Sequence, residues 1–277
     1  MVESESVSLD LSDLQALILD VDGVLYEGSK ASPGAAGLIS QLRTEGTPFL
    51  LLSNNTFRPL AGHVRKLAEL GIFIKREEIL TAAVVTARVI ARESGGRACC
   101  FVVGEDGLVE AMRDAGLTVV ADDCPDITHV VVGMDRKLTY DKLKAASLAI
   151  RRGAIFISSN PDPAYPADEG LIPASGAIQA ALEATTGVPA RVVGKPEATP
   201  FLLALEALGS RPENTAMLGD QMEIDIAGAQ KVGLKTILIL SSLTPKFEHT
   251  SATTRPDAIY PSIEAFLEGW MGSKRPM

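Results

Sequence analysis

Cysteine is scarce. The chain of 277 residues holds three, Cys99, Cys100 and Cys124, too few and too irregularly spaced for a disulfide framework or a zinc site. Cys99 and Cys100 sit in the apolar run "ACCFVV", where small buried strand residues are the expected reading. Histidine is equally rare, and His63, His129 and His249 show no metal-ligand spacing. His63 falls on the helix after "SNN" and is expected to be an ordinary helix-surface histidine. The strand "CFVVG" followed by "EDGLVEAM" lacks the G-x-G-x-x-G of a dinucleotide turn. No apolar run is long enough to span a bilayer. The first residues, "MVESESVSLDLSD", have neither the basic nor the apolar region of a signal peptide, so a cytoplasmic protein is the default expectation. Positive charge is in deficit, with 26 Lys and Arg against 35 Asp and Glu, a formal net charge of -9. That balance argues against nucleic acid or an anionic membrane as partner. An anionic substrate must therefore be drawn in by a local positive element. No repeat period or low-complexity segment is present.

What is there reads as a globular α/β protein, with 46% hydrophobic and 22% charged residues. Apolar strand-like runs alternate with amphipathic helix-like ones, the pattern of βα units on a parallel sheet. "ALILD" is the first strand. Ser32 and Pro33 are placed to cap and start a helix with Leu38, Ile39 and Leu42 on one face and Gly46 at its end. "PFLLLSNN" is the second strand, and Leu60, Val64, Leu67 and Leu70 form the next helical face. Near Ala83 the pattern restarts as a second α/β unit. It passes through a loop rich in Pro, Gly and Asp, "NPDPAYPADEGLIPASG", where two readings of Asn160 and Asp162 stay open, side chains facing the crevice or plain turn positions. The first unit is expected to resume with "ARVVGKP", "TAMLGD", a helix through "IAGAQKVG" and the strand "KTILIL". The expected architecture is a doubly wound parallel-sheet core, residues 1–83 and 190–277, with an inserted α/β cap domain at 84–189.

Four stretches lie at the carboxyl ends of expected core strands or at a helix start beside them: "LDVDG" (Asp20, Asp22), "LLLSNN" (Ser53, Asn54), "VVGKP" (Lys195) and "LGDQMEID" (Asp220, Asp225). In open parallel sheets that is where ligands bind, so residues far apart in sequence converge there. Each signal alone is weak. D-x-D is a common turn, "GKP" a solvated turn, and "GDxxxxD" a plain helix start with a carboxylate near the positive dipole end. Together, in order and each after an apolar strand, they are a strong signal. Carboxylates crowded in one crevice need a cation, and hard oxygen ligands suit Mg2+. Metal, lysine, hydroxyl and backbone N–H groups are what a phosphoryl group requires around its oxygens. A carboxylate can then act as nucleophile, and a second one two residues on as acid and base.

This order of motifs resembles the haloacid dehalogenase (HAD) superfamily of aspartate-nucleophile phosphatases. The position of the insert, after the serine motif and before the lysine motif, is similar to the NagD-like subfamily (class IIA). That group includes 4-nitrophenylphosphatase, phosphoglycolate phosphatase, pyridoxal phosphatase and nucleotide phosphatases. "LDVDGVLYEG", "VGMDRKLTY", "GKP" and "GDQMEIDIAGA" all share the likeness. The resemblance implies that Asp20 is the nucleophile and a magnesium ligand, and that Asp22 is the acid/base and lends its main-chain carbonyl to the metal. It implies that Ser53 and Asn54 bind the phosphoryl group and that Lys195 holds nucleophile and phosphate. Asp220 becomes a metal ligand and Asp225 a support for Lys195 or for metal-bound water. The family often has Thr where Ser53 stands, and "QMEID" departs from its commoner residues. The expected function is Mg2+-dependent hydrolysis of a small phosphorylated metabolite through an aspartyl-phosphate, with a cap-mediated homodimer as the implied assembly. Phosphoryl transfer to a second substrate and a non-catalytic metabolite-binding protein of the same fold remain open alternatives.

Overall fold

A computed structural model describes residues 9–121, 124–167, 170–241 and 254–274; His249 lies outside the described residues. The chain divides into two compact units. The first comprises Met1–Ser53, Val64–Ile79 and Phe201–Met277, the second Asn54–His63 and Leu80–Pro200. Both are α/β units built on parallel sheets, as the sequence pattern requires. Among the described residues no helix is long and apolar enough to cross a membrane.

The first unit carries a six-stranded sheet in the order Ala258–Tyr260, Lys235–Ile239, Thr215–Gly219, Ala16–Leu19, Phe49–Ser53, Ile79–Thr81. Ala16–Leu19 pairs in parallel with Thr215–Gly219 on one side and with Phe49–Ser53 on the other. All four of its residues are apolar and buried, as a central strand covered on both faces must be. From this strand the chain runs first towards Phe49–Ser53 and later returns on the opposite side as Thr215–Gly219. The strand order therefore reverses between Ala16–Leu19 and Thr215–Gly219, which opens a crevice beyond their carboxyl ends.

The helix after the first strand begins at Ala35, not at Pro33. Gly34 precedes it with φ of 86°, and a Cβ there would lie 2.7 Å from Glu264 Cα. The close approach of the C-terminal helix, Ile263–Ser273, thus excludes a side chain and sets the start of the helix. That helix, with its buried Phe266 and Trp270, and the strand Ala258–Tyr260 before it were not expected from the sequence. At the other end Gly46, with φ of 71°, donates its N–H back to the last turn as a left-handed cap.

The second unit has a five-stranded parallel sheet in the order Arg191–Val192, Ile155–Ser158, His129–Val132, Cys99–Val103, Thr118–Val120. One apolar core joins Phe101, Val130, Val132, Phe156, Ile178 and Leu182. "ARVVGKP", expected to resume the first sheet, instead sets Arg191 opposite Ile157 and Val192 opposite Ser158. Two residues are too few to show a period, so the sequence does not say which sheet such a strand joins. The Pro-rich loop contains an antiparallel hairpin, Ala164–Ala167 with Gly170–Pro173. Cys100 is buried, which pushes its thiol up to about 12; Cys99 is half-buried.

His63 is not a surface histidine. It is 1% exposed, on the helix Leu60–Glu69, one turn before the buried Leu67 and on the same face. Among the described residues no hydrogen-bond partner reaches its Nε2. Burial, with the nearby Arg58 charge, lowers its pKa to about 3. The folded state therefore holds it neutral, while the unfolded chain protonates it near its ordinary value. Its contribution is complete above about pH 6.5 and is lost as pH falls from there towards 3, at most about 5 kcal/mol in all. In His63→Leu, urea unfolding measured from pH 7 to pH 4 should show a shallower loss of stability, by about one bound proton. An unchanged slope would show that His63 is not held neutral.

Candidate active site

Asp20 follows the central strand, and its backbone N–H donates to Leu218 O at 2.8 Å, adding one bond to the ladder beyond Leu19 and Leu218. Asp220 follows the neighbouring strand Thr215–Gly219. The register therefore puts both carboxylates on the lip of the crevice, side by side. Asp225 returns to the same place through the wide π-type turn Met222–Ile226, a feature frequent at functional sites. Its Cβ lies 2.2 Å from where a Cβ on Gly219 would be, so only glycine permits that approach.

Asp20, Asp220 and Asp225 are 4%, 0% and 0% exposed. Each offers a carboxylate oxygen, and these oxygens lie within 4.8 Å of one another. Ser241 Oγ donates to Asp220 Oδ2 at 2.6 Å, and Gln221 N–H donates to Asp225 Oδ2 at 3.2 Å. Three like charges withdrawn from water repel one another, and a cation or protons among them would relieve that repulsion. Of the bound species, a small divalent ion fits the donor set best, because all three donors are hard carboxylate oxygens. These are the residues that could hold a metal.

The loop after the first strand is tight. Gly23 N–H donates to Tyr26 O at 2.9 Å and Leu25 N–H to Val21 O at 3.0 Å. The hairpin Tyr26–Glu27 with Lys30–Ala31 follows; its strands are too short to be read from sequence. Half-buried Asp22 sits in this loop, and Ser53 Oγ, at the end of the next strand, donates to Asp22 Oδ2 over a long 3.5 Å. Ser53 is buried.

Asn54 and Lys195 come together in the second unit. Lys195, 2% exposed, has its backbone N–H bonded to Asn54 Oδ1 at 3.0 Å and its carbonyl to Asn54 Nδ2 at 3.1 Å. Asn54 Nδ2 also donates to Asp162 Oδ2 at 3.1 Å, and Asn160 Nδ2 donates to Asn54 O at 2.7 Å. Asn160 and Asp162 thus do more than turn the chain. The N-P and D-P pairs hid this, because a turn signal says nothing about a distant partner.

Two family profiles match the chain: a haloacid dehalogenase-like hydrolase over residues 17–118 and a HAD-like hydrolase over residues 192–266. An acid sugar phosphatase of Staphylococcus aureus is 37% identical over 234 residues, covering 84% of this chain and 89% of its own. The crystal structure of 4-nitrophenylphosphatase from Thermotoga maritima has a TM-score of 0.84 at 29% identity, covering 93% of this chain and 98% of that one. NagD from E. coli K-12 has a TM-score of 0.83 at 31% identity, covering 91% and 97%.

Gly23 tests the packing of the carboxylates. Its φ is 91°, and a Cβ there would stand 2.2 Å from Asp220 Oδ2. Gly23→Ala should therefore both strain the backbone and displace Asp220, at a cost of roughly 2–4 kcal/mol in urea unfolding. A variant as stable as the parent would mean that Asp220 is not fixed where it stands.

Proposed function

Because the chain belongs to the haloacid dehalogenase-like hydrolase family, in its NagD-like branch of phosphatases, we propose that it hydrolyses a small phosphorylated metabolite with Mg2+ and an aspartyl-phosphate intermediate. The observation behind this reading is the buried triad Asp20, Asp220 and Asp225 at the reversal of strand order. Bound there, Mg2+ would balance the carboxylates and the negative charge of a phosphoryl group.

The residues divide the work. Asp20 Oδ attacks phosphorus while the bond to the leaving oxygen breaks, and Asp22 gives that oxygen its proton. Asp22, now a carboxylate, then takes a proton from water as the water oxygen attacks phosphorus and the bond between phosphorus and Asp20 Oδ breaks. Inorganic phosphate leaves and both carboxylates return to their starting states. Ser53 Oγ, the backbone N–H of Asn54 and Lys195 are assigned to the phosphoryl oxygens, with Lys195 as the local positive element for an anionic substrate. Asp220 is assigned to the metal and Asp225 to its support. The inserted unit, expected at 84–189, is assigned to selecting the leaving group. The name of the S. aureus relative makes phosphorylated sugars the first compounds to screen.

The test is phosphate release across a panel of phosphorylated sugars, other small phosphoesters and 4-nitrophenyl phosphate, with Asp20→Asn as the control. Asn keeps the shape but is a poor nucleophile, so kcat should fall by about 10⁴ or more. Turnover close to that of the parent in Asp20→Asn would contradict the covalent mechanism.

A further inference from the structure

The side chain of Asn54 forms a two-point clamp on one residue. Its Oδ1 accepts the Lys195 N–H and its Nδ2 donates to the Lys195 carbonyl, the pairing that one strand residue makes with its neighbour in a ladder. The need for it follows from the fold. The strand before Lys195, Arg191–Val192, is two residues long, and its ladder ends where Val193 N–H donates to Ser158 O at 3.0 Å. Beyond that point Asn54 continues the pairing that the sheet has stopped supplying. Gly194 lets it in: a Cβ there would sit 2.2 Å from Ser159 O and 3.0 Å from Asn54 Oδ1.

Asn54 is itself held. Asn160, 3% exposed, donates from Nδ2 to Asn54 O and accepts the Asp162 N–H at 3.1 Å on Oδ1. Asp162 in turn accepts from Asn54 Nδ2 on its carboxylate, and its carbonyl accepts from Gly176 N–H at 2.8 Å, at the start of the helix Ser175–Thr186. Both N–H groups of the Asn54 amide are thus committed, one to Asp162 and one to Lys195. An amide bound in this way has no donor left for a phosphoryl oxygen.

We infer that Asn54 is a positioning residue for Lys195, oriented by Asp162 and Asn160, and that its side chain does not bind the phosphoryl group. This inference rests on the role proposed above for Lys195. Fixing the backbone N–H and carbonyl of a residue fixes the direction in which its side chain leaves the chain, and small misplacements of a reacting group cost large factors in rate.

A thermodynamic cycle separates positioning from direct binding. Asn54→Ala should lower kcat/KM by about 10²-fold in the parent but by less than about threefold in Lys195→Ala, because the clamp then has nothing left to position. An equal loss in both backgrounds would overturn the inference and leave the role of Lys195 intact. A Lys195→Ala enzyme with the parent's kcat/KM would overturn the Lys195 assignment beneath it. Asp162 gives a second route should Asn54→Ala fail to fold. Asp162→Ala removes the acceptor and should lower kcat/KM, whereas Asp162→Asn keeps an acceptor oxygen and should recover most of the loss. If the Asn variant is as impaired as the Ala variant, the amide bond to residue 162 is not what orients Asn54 and the inference fails.

Discussion

Three buried carboxylates repel one another, and the first unit is organised around that repulsion. At an effective dielectric of about 20, two unit charges about 4 Å apart repel by roughly 4 kcal/mol. A domain is stable by only about 5–15 kcal/mol, so an uncompensated triad would use up much of the margin. Yet the chain invests in bringing Asp20, Asp220 and Asp225 together. Parallel register places two of them on adjacent strand ends, a wide turn returns the third, and glycines at 23 and 219 remove the side chains that would block them. A cation in the crevice, as proposed above, would offset that repulsion. The charge problem and the phosphatase chemistry thus have a common solution.

The second unit fixes the backbone of a buried lysine. Lys195 follows a strand of two residues, so regular structure does not hold it. Asn54, Asn160 and Asp162 provide the missing hydrogen bonds through side chains, and a network whose members are all bonded is rigid. Asn54 belongs to the second unit although Ser53, its neighbour in sequence, closes a strand of the first. One short stretch therefore contributes a hydroxyl to one unit and a clamp to the other.

The parts of the fold legible in sequence are those with a strong local signal. The buried runs "ALIL" and "FLLLS" are strands because nothing polar interrupts them, and the carboxylates that end such runs stand at the sheet's carboxyl edge. The carboxylates that the structure brings together, Asp20, Asp220 and Asp225, were therefore visible as a set. What stayed hidden depends on distant partners. His63 is buried because its helical face turns inward, and a histidine one turn before a leucine gives no warning of that. Arg191–Val192 and the hairpin at Ala164–Pro173 are too short or too proline-rich for a period to show. The start of the helix at Ala35 depends on Glu264, some 230 residues away in sequence. The Asn54 clamp needs Lys195 and Asp162 in place before it means anything.

The central claim is that the carboxylate triad exists to hold a divalent cation. Calorimetric titration of the metal-free protein with Mg2+ tests it directly, alongside Asp220→Asn. The account predicts one Mg2+ per chain in the parent and an affinity at least about tenfold weaker in the variant, as loss of a charged ligand should give. Equal binding in both proteins, or phosphate release by a parent enzyme that binds no divalent ion, would contradict it.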